Sequence, residues 1–264
     1  MFVLIHLRGI IQTMHIDISD QVAVVTGGAH RVGKAIALEL ARHGVNILVH
    51  FGSSEKEATE TVREIKSLGV DAYAVQADIS KPEAVETIFS AVREHFGRLD
   101  IFVNSASNFQ KRDLLSVTLE EWQETMAINV TAAFLCTQAA TAMMRQNDPS
   151  GGCIINILDR GAVDPWPAYP HHGVSKAALW MLTQVSAASL GPDIRVNAVV
   201  PGPVMKPAGT NMTDEEWANF GKKTTPIQRV GSADDVARAV AYLASEDFIN
   251  GTAIYVNGGE HLLW

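Results

Sequence analysis

The sequence predicts an α/β protein: a doubly wound parallel sheet of about seven strands with helices on both faces. Two observations predict it. From Gln21 onward, short β-branched runs alternate with segments of helical period. The strand-like runs are also almost continuously apolar, the pattern of strands covered on both faces rather than on one. Right-handed crossovers between such strands then give the doubly wound arrangement.

The first strand is Val22–Thr26, and a helix follows over Arg31–His43. Val45–Phe51 is the second strand. Ser54 and Glu57 have capping-box spacing and predict a helix to about Leu68. Val70–Gln76 is the third strand, and Ser80 with Glu83 predicts a second capping box. In the helix after it, Val85, Ile88, Phe89, Val92 and Phe96 fall on one face. Asp100–Val103 is a strand, and Thr118 to Arg145 reads as one long helical region. Then come a strand at Cys153–Leu158, a helix at His171–Leu190 and a strand at Ile194–Val200. Residues 201–231 show no strand pattern. A capping box at Thr213 and Glu216 opens a short helix there. Ser232–Ser245 is a helix and Ala253–Val256 the last strand.

The chain has 264 residues, 47% apolar and 19% charged, an ordinary balance for a globular protein. A formal net charge of -8 opposes nucleic-acid binding. No uninterrupted apolar run reaches the roughly 18 residues of a membrane span. Cys136 and Cys153 sit in apolar runs without metal-ligand spacing, so they read as buried thiols and no metal site is expected. Together these features predict a cytoplasmic protein. Residues 1–16 read as a flexible extension, since Arg8 breaks the apolar run and Met14 can itself begin the domain. Residues 17–264 are expected to form one domain, with a substrate lid at about 202–226.

The first strand runs into Thr26-Gly27-Gly28-Ala29-His30-Arg31-Val32-Gly33. A glycine-rich turn between a strand and a helix lets the backbone approach a pyrophosphate, and the helix N-terminus offers free N–H groups. This turn resembles the TGxxxGxG turn of short-chain dehydrogenases/reductases. Arg31 replaces the middle glycine, as in their pteridine-reductase-like branch. The resemblance covers almost all of residues 20–260 and also takes in the 3-oxoacyl-carrier-protein-reductase-like proteins. Asp78-Ile79-Ser80 resembles the family's adenine-holding turn, and Asn104-Ser105-Ala106-Ser107 its NNAG segment in the pteridine-reductase form. Arg195-Val196-Asn197 with Pro201-Gly202 resembles the segment beside the nicotinamide, and Asn257-Gly258-Gly259 the C-terminal DGG. The resemblance implies a Rossmann fold and a homotetramer.

An acid at the end of the second strand would read the ribose 2′-hydroxyl of NAD. Here stand His50, Phe51, Gly52, Ser53 and Ser54. With no carboxylate to repel a 2′-phosphate, and with His30, Arg31, His50, Ser53 and Ser54 as donors, the expected cofactor is NADP(H). The implied cofactor set is Gly27, His30, Arg31, Val32, His50, Phe51, Ser53, Ser54, Asp78, Ile79, Asn104, Ser105, Ala106, Lys176, Pro201, Gly202 and Val204. Ser53 and Ser54 also suit a plain helix cap.

The family's catalytic core is Asn, Ser and Tyr-x-x-x-Lys. The matching positions here hold Asn129, Asp159, His172 and Lys176. The resemblance implies that Lys176 binds the nicotinamide ribose. It also implies that Asp159, as in pteridine reductases, helps pass a proton to a ring nitrogen. His172 is one helical turn before Lys176 and is chemically able to act as an acid near neutral pH. Tyr169 is a second candidate donor, or else packs in the pocket wall. His171 reads as solvated or substrate-lining. Trp166, Met205, Trp217 and Phe220 either line the pocket or dock the lid.

Three functions fit. The first is an NADPH-dependent reductase of a small carbonyl or pteridine-like C=N substrate. The second is an NADP(H)-binding protein without turnover, suggested by His172. The third is a structural partner in an oligomer.

Overall fold

A computed structural model describes residues 16–207 and 209–263. The expected flexibility of the extension concerns residues outside this range, apart from Ile16. That residue is docked, with its N–H donating to the Ser245 carbonyl at 2.6 Å.

Seven strands form one parallel sheet: β1 (Val22–Val25), β2 (Asn46–Phe51), β3 (Ala72–Gln76), β4 (Ile101–Asn104), β5 (Gly152–Ile157), β6 (Ile194–Pro201) and β7 (Ala253–Val256). Their order is β3-β2-β1-β4-β5-β6-β7, with parallel pairing throughout. The order reverses between β1 and β4. Ligands of open α/β sheets bind at such a switch point, outside the carboxyl ends of the strands.

The helices are α1 (Arg31–Arg42), α2 (Glu55–Ser67), α3 (Glu83–His95), α4 (Leu119–Met126), α5 (Ala132–Met144), α6 (Pro170–Leu190), α7 (Asp214–Thr224) and α8 (Ala233–Ser245). One core packs α1, α2 and α8 on one face of the sheet through Leu40, Ile65 and Val240. Ile88, Phe89 and Val92 of α3 and Cys136, Ala140 and Met144 of α5 cover the other face. Both cysteines are buried and free; burial pushes the Cys136 thiol up to about 12.

Three expectations need correction. Ser54 caps α2 by position only: its side chain makes no capping bond, so the capping box is absent. The Ser80 box is absent too. Ser80 instead donates its hydroxyl and its N–H to Asp78 Oδ1, at 2.7 and 3.1 Å, and α3 begins after Pro82. The long helical region is not uniform, because a π turn over Ala127–Thr131 joins α4 to α5. The stretch Leu119–Met144 has the length and apolarity of a membrane span. Here it is packed as a core helix against α3, β4, β5 and α6. The capping boxes at Thr213 and Ser232 form as expected.

Candidate active site

The carboxyl ends of β1, β4, β5 and β6 carry the expected site residues to one edge of the sheet. At β1, Thr26 Oγ1 accepts from the N–H groups of Ser105 and Ala106 at 2.9 and 3.0 Å, tying the glycine-rich turn to the end of β4. The Asn104 side chain is committed to the sheet: its Nδ2 donates to Asn156 Oδ1 at 2.8 Å.

The turn fits a phosphate. No side chain caps α1 and no acid lies in its first turn, so its N-terminal dipole is uncompensated by the protein. Arg31 adopts φ 55, a left-handed conformation that explains the family's glycine here. Its Nη2 donates to the Lys206 carbonyl at 2.8 Å, and Lys206 Nζ reaches Asp214 Oδ1 at 2.6 Å. A polar chain therefore links the turn to the first turn of α7. His30 and Ser53 are exposed and Ser54 is half-buried, with Phe51 buried at the end of β2. His50 departs from its expected role as a donor to phosphate. Its Nδ1 accepts from the Gly27 N–H at 3.3 Å and its Nε2 faces the Ala77 carbonyl at 3.0 Å. Both ring nitrogens brace the turn, and burial pushes the ring's pKa down. The two hydrogen bonds from Ser80 hold the Asp78 carboxyl low.

At β5, Asp159 caps a short turn, with Oδ1 accepting from the Gly161 N–H at 2.8 Å. A Cβ on Gly161 would stand 2.7 Å from Gly173 Cα. Glycine at this crossing lets the first turn of α6 lie against the Asp159 turn, and that approach puts His172 against the carboxylate. His172 Nε2 contacts Asp159 Oδ2, while Nδ1 lies 2.9 Å from the Asn108 carbonyl. Each ring nitrogen faces an oxygen acceptor, and Asn129 Nδ2 also lies 3.4 Å from Nδ1. The His172 side chain is 2% exposed and that of Asp159 20%, so the carboxylate is the more open member of the pair. Burial pushes the Asp159 carboxyl up. The His172 contact, the charges of His172 and Lys176 and the Gly161 N–H outweigh it and leave the carboxyl below its ordinary value.

Asn129 lies in the π turn, a distortion that often accompanies functional residues. Its Oδ1 accepts from the Asn108 N–H at 3.2 Å, and its Nδ2 donates to Ser175 Oγ at 2.9 Å. Ser175 in turn donates to the His172 carbonyl at 2.7 Å. Lys176 Nζ is buried and donates to the Ile157 carbonyl at 2.8 Å. Burial lowers its pKa and the Asp159 charge opposes that.

Asn129, Asp159, His172 and Lys176 thus come together as expected, with Asn108 and Ser175 between them. Neither was singled out by sequence. Asn108 acts through its backbone, which leaves no residue-type signature.

Tyr169 stacks on Phe109 with ring centroids 4.2 Å apart and packs on Trp166 at 4.4 Å. Phe109 meets the His172 ring edge-on at 4.8 Å. Tyr169 is therefore part of an aromatic wall beside the acid pair, and burial raises its pKa. His171 is neither solvated nor bonded. It is buried, and among the described residues its ring nitrogens have no hydrogen-bond partner. Burial first, then the His172 charge, lowers its pKa. Trp217 and Phe220 stack on one another at 5.4 Å within α7.

The comparisons with known proteins agree with this architecture. The family described as Enoyl-(Acyl carrier protein) reductase matches residues 27–261. The 3beta-hydroxysteroid dehydrogenase 1 of Eggerthella lenta is 36% identical over 251 residues, 93% of this chain and 95% of that one. A short-chain dehydrogenase from Burkholderia cenocepacia, solved with NADP, is 34% identical at a TM-score of 0.84, covering 93% of this chain and 99% of that one. FolM alternative dihydrofolate reductase 1 from Brucella canis, also solved with NADP, is 29% identical at a TM-score of 0.86, covering 94% and 96%. Fold and relatives match NAD(P)-dependent oxidoreductases acting on small carbonyl substrates. On the match across residues 27–261 and the identity to these relatives, the chain belongs to the short-chain dehydrogenase/reductase family.

Proposed function

We propose that this chain is an NADP(H)-dependent reductase of small carbonyl or pteridine-like C=N substrates, in the pteridine-reductase-like branch. The observation that carries the reading is the Asp159–His172 pair, standing where the family uses serine and tyrosine. NADP(H), when bound, supplies the hydride. The residues of the chain supply the proton and the geometry. His172 is sealed between Asn108 and Asp159, so the more open carboxylate is the member that reaches substrate. Asp159 relays a proton: its carboxylate takes one from His172 Nε2 as it protonates the nascent ring nitrogen or alkoxide. The pair ends as a carboxylate and a neutral imidazole. Asn129 and Ser175 hold the backbone around His172. Lys176 keeps ammonium donors beyond its bond to Ile157, and these suit ribose hydroxyls.

The choice of NADP over NAD rests on the end of β2. Phe51, Gly52, Ser53 and Ser54 bring no carboxylate there, and the Ser54 hydroxyl is not used as a cap. Three of the similar structures hold NADP and one holds NAD. The reading also takes the protein to be cytoplasmic, with buried free thiols suited to a reducing compartment, and to assemble as a homotetramer.

A second reading has its own support. With both nitrogens of His172 occupied, the pair is also compatible with cofactor binding without turnover. NADPH oxidation against a panel of carbonyls and oxidised pterins separates the two. The reductase reading expects turnover with at least one of them. Tight NADPH binding with no turnover across the panel favours the second.

A further inference from the structure

Glu260 stands just beyond β7, at the carboxyl edge of the sheet that also holds Asp159. It is 9% exposed, and among the described residues its carboxylate accepts no hydrogen bond. Its ion-pair contact is Arg160 Nη1 at 3.9 Å. The Arg160 guanidinium makes closer contacts with Asp164, through Nε at 2.8 Å and Nη2 at 2.7 Å. One arginine therefore lies between two carboxylates, and Glu260 is the less well served. Burial raises its carboxyl, Arg160 opposes that and Asp164 adds to it. A buried carboxylate without a hydrogen-bond donor is costly, and such a group in a native fold calls for a partner.

Its surroundings indicate which partner. A Cβ on Gly202 would lie 2.5 Å from Asn257 Cβ and 2.9 Å from Glu260 Oε2, so the glycine after β6 leaves room for the Asn257 turn and has the carboxylate beside it. Arg160 follows Asp159 directly and lies over the Trp166 ring at 5.9 Å. Trp166 belongs to the aromatic wall with Phe109 and Tyr169 that abuts His172. Running outward from the acid pair, the site thus has a flat aromatic wall and then a carboxylate short of donors. That combination suits a planar heterocycle whose far edge carries N–H groups.

We propose that Glu260 is a specificity-determining residue, accepting hydrogen bonds from the amino edge of a planar nitrogen heterocycle while Asp159 addresses its reducible bond. The inference rests on the substrate site proposed above and names the feature that separates aminopyrimidine-type rings from plain carbonyl compounds.

The test uses binding rather than turnover. Two ring systems of one shape, 6,7-dimethylpterin and 6,7-dimethyllumazine, differ in carrying an amino group or an oxygen at position 2. Calorimetry on the full chain saturated with NADP⁺ measures both, for wild type, Glu260→Gln and Glu260→Ala. The expected result is a preference of wild type for the pterin by roughly tenfold or more. Both variants lose that preference by weakening the pterin, with the lumazine unchanged. Unaltered NADP⁺ affinity and thermal midpoint show that the variants are folded. Equal binding of the two ligands by wild type, no binding of either, or a preference that survives both substitutions overturns the proposal. A Glu260-dependent preference alongside no reductase turnover upholds the binding role and sinks the reductase reading instead.

Discussion

Asp159 and His172 are thirteen positions apart and meet because the short turn after β5 carries one while the first turn of α6 carries the other. Sequence alone gave the residue types and left their relation open, because opposing charges near His172 had no stated distances. In the fold the ring lies between the Asn108 carbonyl and the Asp159 carboxylate, with the Asn129 amide beside Nδ1. A stability consequence follows. The folded-state pKa of Asp159 is depressed, so its contribution is present above the ordinary carboxylate value and is lost as pH falls through the depressed one. Asp159→Asn should cost about 1.5–3 kcal/mol at pH 7, the range for a hydrogen bond to a charged group. Urea titrations of both proteins should show the gap closing as pH drops into the acid range; a gap constant from pH 7 down to acid would contradict the ionised pair. Arg31 gives a second residue-scale expectation. Its guanidinium stands at the phosphate turn, so Arg31→Gly should weaken NADPH about tenfold more than NADH in fluorescence titrations. Equal losses would remove Arg31 from 2′-phosphate recognition.

Among the elements, the inner strands were legible because β1, β2, β4, β5 and β6 are short, mostly apolar runs buried on both faces, and the half-exposed edge strand β7 still matches its expected span. The two failed capping boxes share a cause: spacing identifies candidates, but local geometry decides. Asp78 captures the Ser80 hydroxyl, and Ser54 has a backbone conformation at which its side chain makes no capping bond. The π turn around Asn129 was hidden because it adds to a helix without interrupting its apolar composition. The crossing of the Asp159 turn with α6 depends on Gly161. Gly161→Ala places a methyl against Gly173 and should push the two elements apart, at about 1–3 kcal/mol of overpacking. We expect turnover to fall with that loss. Gly52→Ala, with nothing within 4 Å of the added Cβ, serves as the control for stability and should leave it unchanged. Full turnover in Gly161→Ala would show that the close crossing is not needed to hold the pair.

For the whole molecule, the strand order sets the logic of the site. Reversal between β1 and β4 opens the crevice in which the glycine-rich turn, the β4 end and the acid pair converge. That much was readable from sequence, since ordered motifs on alternating elements fix the edge they share. Glu260 and the Asn108 backbone were not readable, because their roles arise from contacts between distant segments. The central claim is that Asp159, backed by His172, delivers the proton in an NADPH-dependent reduction. The most direct measurement is single-turnover NADPH oxidation with a substrate identified from the carbonyl and pterin panel, in wild type, Asp159→Asn and His172→Ala. A positioned acid contributes about 10²–10⁴-fold, so Asp159→Asn should slow the step by at least about a hundredfold, with His172→Ala also slowed and NADPH affinity retained in both. Rapid turnover undiminished in both variants would contradict the account and return the proton donor to Tyr169 or solvent.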